Sequence, residues 1–208
     1  MFINSLSGRF LVLTMLFVML AEVFIFVPSI ARFRQDYMLN RLERAQIASL
    51  SLLASDMIEE DLESELLENA GVFNVVLRRN EVRQLILASN MPLPVSASFD
   101  MRDPSAGVLM RDAVTRLLAN TPEVVRIIGN PVQDAGLLIE VTMPSEPLRA
   151  AMLDYGIRIL ILSAVISAVT ATLLFFAVRQ LMVKPIKNVV TAMKSYAAAP
   201  EDLSLIHI

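Results

Sequence analysis

The stretch that decides the fold is residues 159–178, ILILSAVISAVTATLLFFAV, which lies between Arg158 and Arg179 and carries no charge. A bilayer core about 30 Å thick is crossed by about 20 helical residues. No side chain in this stretch is more polar than serine or threonine. The sequence therefore predicts a transmembrane helix over residues 158–178.

A second apolar block occupies residues 10–31, near the amino terminus. The 22 residues between Arg9 and Arg32 contain one formal charge, Glu22. A cleaved signal peptide is the alternative, but its apolar core is only about 7–15 residues long and ends at small residues. Bulky side chains prolong the run here, so we predict an uncleaved helix that follows a cytoplasmic segment of residues 1–9.

The overall composition agrees with two membrane helices joined to a water-soluble region. Of the 208 residues, 55% are hydrophobic and 19% are charged, and the mean hydropathy is +0.59. An ordinary soluble chain is about 45–50% apolar and about 25% charged. The absence of cysteine excludes disulfides and thiolate chemistry, and a net charge of −3 gives no argument for binding nucleic acid.

The basic residues around the second span predict its orientation, because lysine and arginine favour the cytoplasmic end. Four follow the span and two precede it: Arg179, Lys184, Lys187 and Lys194, against Arg149 and Arg158. The first span has the opposite bias, but a long loop is translocated largely regardless of its charge. We therefore expect an inner-membrane protein with both termini in the cytoplasm and residues 32–157 in the periplasm.

The predicted periplasmic region is acidic and begins with a long helix. It holds 12 arginines, no lysine and 18 acidic residues, a net charge of −6. Residues 31–70 contain neither glycine nor proline, and apolar residues recur every three or four positions: Ile47, Leu50, Ala54, Ile58, Leu62 and Leu66. This pattern predicts one helix that continues the first span past a kink near Pro28 and ends at Gly71.

The rest of this region predicts an α+β domain. Residues 72–77 and 82–87 are β-rich and form a hairpin around residues 78–81, whereas residues 90–104, with three prolines, are expected to be a loop. A helix follows over residues 105–120, with Val108, Leu109, Ala113, Leu117 and Leu118 on its apolar face. Two more strands cover residues 124–128 and 137–141, and a helix from Leu148 to Tyr155 leads into the second span.

Two charged clusters in this domain are weak ligand candidates. Arg78, Arg79 and Arg83 surround the hairpin tip and could hold an anion, although three arginines there are more often simply solvated. Acidic residues crowd the end of the long helix, either as a solvated face or as a divalent-cation or membrane-facing patch. The domain has no histidine, cysteine or glycine-rich phosphate loop, so no catalytic, cofactor or metal site is predicted.

Two ionisable residues lie at or near membrane depth. An acid inside a span is a functional-site hypothesis by default, and Glu22 lies within the first span, while Arg158 lies at the outer edge of the second. An interhelical Glu22–Arg158 pair is one hypothesis. Separate environments, with Glu22 protonated or facing another helix and Arg158 extending outward to water, are the alternative.

The segment after the second span predicts a signal-relay helix. Ile186, Val189, Met193 and Tyr196 are spaced 3, 4 and 3 residues apart, the pattern of a coiled-coil seam. Pro185 lacks a backbone donor, so it interrupts the helix leaving the membrane and begins a new one. A proline break followed by such a seam converts helix movement into repacking of a dimeric bundle.

These residues resemble a known family. Val183-Lys184-Pro185-Ile186 and the seam resemble the first helix of a HAMP linker over residues 179–202, and residues 196–202, with Pro200-Glu201-Asp202, resemble the end of that helix in alphaproteobacterial sensor histidine kinases. The order of elements in residues 32–157 is similar to that of Cache/PAS-like periplasmic sensor domains. The resemblance implies a homodimeric two-component receptor that senses an unknown stimulus and signals to a cytoplasmic response regulator.

The chain departs from that family after the linker. A kinase core would bring a phosphoacceptor histidine and ATP with Mg²⁺, but His207 is the only histidine in the chain. We expect an N-terminal fragment whose residues 203–208 are non-native or a truncated tail. A chemoreceptor and a membrane-bound diguanylate cyclase share the same front half and are the alternative functions.

Overall fold

The computed structural model describes residues 6–53, 60–79, 82–88, 93–131 and 136–198. The helices are α1 (Leu6–Leu53), α2 (Glu60–Ala70), α3 (Ala106–Leu118), α4 (Glu146–Val178) and α5 (Lys184–Ala198). The strands are β1 (Asn74–Arg79), β2 (Val82–Ala88), β3 (Val95–Asp100), β4 (Val124–Gly129) and β5 (Leu138–Pro144). A π-helical turn, Arg179–Val183, joins α4 to α5. The mixture of helices and one sheet confirms the α+β prediction.

The chain divides into two compact units. One unit is Ile25–Arg158, and the other combines Met1–Phe24 with Ile159–Ile208. Two helices, covering Val12–Leu50 and Glu146–Ala197, are long and apolar enough to cross a membrane. Their apolar windows are almost entirely exposed, as expected of helices whose apolar side chains have no protein partner in the single chain.

The part of α1 after Pro28 packs against the sheet along a single face. Its buried positions are spaced 4, 4, 4, 3 and 4 residues apart, which places them on one side of a helix: Ile30, Arg34, Met38, Leu42, Ala45 and Ser49. Leu42 packs against Gly129, where an added Cβ would lie 2.5 Å from the leucine Cδ1. The predicted stripe forms a different face, because Ile47 is 59% exposed and Leu50 and Leu62 are also exposed.

The end of the long helical region is confirmed at Gly71. This residue has φ +65°, a left-handed conformation that glycine adopts without strain. Its N–H donates to Glu68 O, and the N–H of Val72 donates to Leu67 O, so the last carbonyls of α2 are satisfied. The prediction of one continuous helix also covers residues 54–59, which lie outside the described residues.

The sheet has five strands in the order β2-β1-β5-β4-β3. The predicted hairpin is confirmed, with β1 and β2 antiparallel and Arg79 opposite Val82, although β1 begins two residues later than predicted. The predicted strands β4 and β5 are also confirmed as an antiparallel pair. One face of the central strands fills the core with alternate residues, among them Val75, Leu77, Ile127, Ile139 and Val141.

The prediction of a loop over residues 90–104 was wrong for residues 95–100. These form β3, an edge strand that pairs in parallel with β4. Its side chains alternate between half-buried and exposed, the pattern of a strand with one wet face. Pro94 and Pro104 lie outside the strand, so they remove no hydrogen bond from its ladder.

The two remaining predicted helices are confirmed in the unit Ile25–Arg158. α3 lies within the predicted residues 105–120, and three residues of its predicted apolar face pack on the core: Leu109, Ala113 and Leu117. Val108 and Leu118 are exposed instead, and Arg116 is buried. α4 begins at Glu146, and Leu148 and Met152 are buried in the core. The same helix continues through residues 158–178.

Candidate functional site

The relay helix, which we define as α4, the π-helical turn and α5, leaves the sheet domain and ends in the predicted linker. It is helical at every residue from Glu146 to Ala198. Such a helix has a rise of about 1.5 Å per residue. The signal-relay residues predicted from sequence all lie in its last segment.

Pro185 is accommodated by the π-helical turn that precedes it. Proline has no N–H and its ring clashes with the carbonyl one turn earlier, so it cannot sit in an undisturbed α-helix. Over Arg179–Val183 the hydrogen bonds lengthen by one residue, and the N–H of Lys184 donates to Arg179 O. The predicted interruption is therefore a local change of helical register, of the kind often found at functional sites.

The seam, which we define as Ile186, Val189, Met193 and Tyr196, faces solvent in the single chain. The four side chains are 62%, 59%, 67% and 56% exposed. Val190, beside them, is also exposed. An exposed apolar row at coiled-coil spacing has the composition of a surface that another helix covers.

Glu22 has a partner on the relay helix. The hydroxyl of Ser167 donates a hydrogen bond to its Oε1. The two residues belong to the two apolar helices, in the unit that contains both apolar segments. A polar pair of this kind satisfies a group that hydrocarbon would leave without a partner.

Arg158 has a different partner, Asp154. Its Nη2 lies 2.8 Å from Asp154 Oδ2, one helical turn earlier, and both side chains are mostly exposed. Glu22 and Arg158 therefore each have a partner within their own unit, and a pair between them stays a prediction. An exposed ion pair one turn apart is typical of a helix surface in contact with water.

The hairpin arginines are only partly described. Arg78 is exposed on β1, its carbonyl accepts from the Leu137 N–H, and its Cα lies opposite that of Arg83 on β2. The side chains of Arg79 and Arg83 lie outside the described residues. The acidic stretch belongs to α2, and among the described residues no three histidine, aspartate or glutamate side chains are placed to hold a metal ion.

The outer ends of α1 and α4 are held together by the aromatic clamp, which we define as Ser29, Phe33 and Tyr155. The rings of Phe33 and Tyr155 stack with centroids 4.3 Å apart and an interplanar angle of 13°. The Tyr155 hydroxyl and Ser29 Oγ are 3.0 Å apart and share a hydrogen bond. Next to the clamp, Gly156 allows close approach, since an added Cβ would lie 3.2 Å from Ile30 Cδ1.

Arg34 is a buried charge that was not predicted from the sequence. Its side chain is 1% exposed, and its Nη1 lies 4.0 Å from Asp112 Oδ2, too far for a hydrogen bond. Among the described residues its Nε and Nη1 have no hydrogen-bond partner. Burial lowers the pKa of Arg34, while the charge of Asp112 acts in the opposite direction and that of Arg116 adds to the lowering.

A signal for Arg34 was present in the sequence. It stands four residues from Ile30 and from Met38, within the periodic row that packs on the sheet. The relay helix, the aromatic clamp and Arg34 are the features of the described residues that point towards function. No family model matches this chain, and no curated protein or solved structure matches it.

Proposed function

We propose that this chain is the sensing and transmembrane part of a two-component sensor histidine kinase. Residues 32–157 form a Cache/PAS-like periplasmic sensor domain, two helices cross the inner membrane, and residues 179–202 form the first helix of a HAMP linker. The observation that carries the proposal is the exposed seam at the end of a helix that begins in the sheet domain.

The two ends of the relay helix support a relay of movement. At its outer end, Leu148 and Met152 are buried in the core, so a change of packing there acts directly on the helix. At its inner end, the seam is free to pack against a second copy. A differential ligand affinity of a few kcal/mol between two packing states would be enough to shift their populations.

The proposal assigns the chemistry to a kinase core outside residues 1–208. That core would bind ATP and Mg²⁺, phosphorylate its own histidine and pass the phosphoryl group to a response regulator. The reading frame beyond residue 202 tests this assignment. A histidine-bearing helix followed by an ATP-binding domain would support the kinase, whereas a long glutamate- and glutamine-rich helical hairpin or a cyclase domain would establish one of the alternatives.

Disulfide crosslinking tests the homodimeric seam. The chain has no cysteine, so Met193→Cys introduces a single thiol in the seam, and Thr191→Cys places one on the opposite face of α5 as a matched control. In vesicles, we expect oxidation to crosslink the Met193→Cys chain several times faster than the control. Equal rates for the two variants would reject the seam as a dimer contact.

A second set of variants distinguishes crosslinking through a packed seam from crosslinking by random collision. Val189→Cys should also crosslink, and adding Met193→Asp to it should suppress the crosslink, because a buried aspartate in an apolar seam is not paired. Lys194 follows Met193 in the chain but does not belong to the seam. Adding Lys194→Asp instead of Met193→Asp should therefore leave most of the crosslink. Loss of the crosslink in both double variants would show that any added negative charge suppresses it, and would contradict specific packing of the seam.

A further inference from the structure

A pocket on α1, between Phe33 and Arg44, lies beside the aromatic clamp. Its volume is about 250 Å³. It is lined by Phe33, Asp36, Tyr37, Asn40, Arg41 and Arg44. The pocket is smaller than the range of about 300–1,000 Å³ that is usual for drug-sized ligands, so an occupant must be small.

One side of the pocket is aromatic. The rings of Phe33 and Tyr37 lie one helical turn apart, with centroids separated by 6.4 Å and planes tilted by 42°. Both side chains are half-buried. They therefore present ring faces and edges on which a flat apolar group can pack.

The other side of the pocket is cationic and partly fixed in place. Arg41 Nη1 donates to Ala70 O at 2.7 Å, and its Nη2 donates to the Tyr37 hydroxyl at 2.8 Å. Its guanidinium carbon also lies 5.0 Å from the centroid of the Tyr37 ring. These contacts hold the Arg41 charge in position before any ligand binds, which reduces the entropy lost on binding.

Arg44 supplies a second cation that is still available to a ligand. It is exposed, and the described residues include no hydrogen-bond or ion-pair partner for it. Among the described residues that line the pocket Asp36 is the only acid, and it pairs with Arg32 at 3.4 Å. With two arginines and one aspartate, the pocket lining has a net positive charge.

We infer that this pocket binds a small organic carboxylate with a flat apolar body. The carboxylate meets the guanidinium of Arg44, with the charge of Arg41 beside it, because guanidinium groups match the planar geometry of a carboxylate. The body packs on Phe33 and Tyr37. A purely inorganic anion would leave the aromatic side unused, and an uncharged aromatic would gain no charge-assisted hydrogen bonds from Arg44.

The position of the pocket connects a ligand to the relay helix. Phe33 lines the pocket and also stacks on Tyr155 of α4. A ligand that orders Phe33 therefore favours the packing state in which the clamp is closed. This consequence rests on the proposed sensor function, whereas binding itself does not.

The binding test uses the full chain in detergent micelles and three probes: benzoate, benzamide and acetate. Calorimetric titration should show millimolar or tighter binding of benzoate, and binding at least about tenfold weaker for benzamide, which lacks the charge. Acetate, which lacks the ring, should also bind at least about tenfold more weakly. Comparable binding of all three probes, or no binding of benzoate at about 10 mM, would overturn the proposal.

Two variants locate the site. Arg44→Gln should weaken benzoate binding by about tenfold. Because the Arg44 side chain is exposed, this substitution should not disturb folding. Arg111→Gln, an exposed arginine on α3, is the matched control and should leave the affinity unchanged. Unchanged affinity in Arg44→Gln, or an equal loss in both variants, would place the binding elsewhere.

The benzoate-binding test and the test of the proposed function can fail independently of each other. Seam crosslinking at Met193→Cys needs no ligand, so a chain that crosslinks without binding benzoate contradicts this inference alone. A chain that binds benzoate without crosslinking contradicts the dimeric relay alone. If both hold, benzoate should change the crosslinking rate, and Arg44→Gln should abolish that change.

Discussion

The guanidinium carbon of Arg34 lies 4.3 Å from the centroid of the Phe99 ring, so a buried cation on α1 rests on the face of an aromatic residue of β3. A cation over a ring face is attracted by about 0.5–2 kcal/mol. That is less than the several kcal/mol that removing a charge from water costs. The nearby Asp112, 24% exposed and 4.0 Å away, offsets only part of the difference.

Replacing Arg34 should therefore have the opposite effect to replacing Asp112. We expect Arg34→Met to raise the free energy of unfolding by about 1–2 kcal/mol, because methionine fills the space without a buried charge. Asp112→Asn should lower it by about 3 kcal/mol, because the cation then loses its acidic partner. Thermal unfolding followed by circular dichroism measures both changes.

Arg34→Ala is the control for the space that the side chain fills. It removes the same charge but leaves a cavity, so it should be less stable than Arg34→Met by about 2 kcal/mol or more. If Arg34→Met is instead as unstable as Arg34→Ala, the buried guanidinium stabilises the fold by more than its burial costs.

The close contact at Gly156 should tolerate alanine but not leucine. An added Cβ would lie 3.2 Å from Ile30 Cδ1 and 3.3 Å from Phe26 Cζ. For alanine, the gain in helix propensity of about 1 kcal/mol offsets a small displacement of these side chains. Leucine should cost about 1–3 kcal/mol through overpacking.

Gly107, on α3, provides the matched comparison for Gly156. No atom lies within 4 Å of an added Cβ there. Unfolding measurements should show that Gly107→Leu is neutral or mildly stabilising. A Gly156→Leu variant as stable as Gly107→Leu would show that α1 and α4 do not need a small residue at their contact.

Gly71→Ala should destabilise the outer domain by about 2–3 kcal/mol. A left-handed conformation costs a non-glycine residue about 1–2 kcal/mol, and here the added Cβ would lie 2.1 Å from Arg41 Nη1. The guanidinium would have to leave Ala70 O, with the loss of a further hydrogen bond of about 1 kcal/mol. Urea unfolding measures the change.

A double variant separates strain from the Arg41 contact. In an Arg41→Gln background the clash is removed, so Gly71→Ala should cost only the conformational part, and the two single effects should not add. Additive effects would show that Arg41 and Gly71 act independently.

Asp100 should titrate at an unusually low pH. Hydrogen bonds from the Arg102 side chain and backbone lower the pKa of Asp100 from 3.8 to about 2. Because the folded pKa is the lower one, the stabilisation from this contact is complete above the unfolded pKa near 4 and is lost as pH falls towards 2. The exposed pair contributes little overall.

Carbon-13 NMR of the labelled Asp100 carboxyl group measures this pKa directly. Arg102→Gln should move the midpoint back towards 3.8, since the side-chain hydrogen bonds are the largest cause of the shift. Arg111→Gln should leave it unchanged. A wild-type midpoint near 4 would contradict the contact between Asp100 and Arg102.

Features that depend on neighbours in the chain were predictable from the sequence. The two apolar helices follow from uninterrupted runs such as residues 159–178, and the end of α2 follows from Gly71, because helix length and capping are local properties. The β1–β2 hairpin joins strands separated by a short turn, so its pairing is local too.

Features that depend on distant residues were decided by the tertiary structure. β3 is a strand because it pairs with β4 across α3, a contact that the prolines around it do not reveal. The buried face of α1 is the one that the sheet covers, which is why Arg34 lies inside while Ile47 faces outward. The apolar pattern of the sequence by itself determined which segments are helices, but only packing, which rewards contact between remote surfaces, decided which face of α1 is buried.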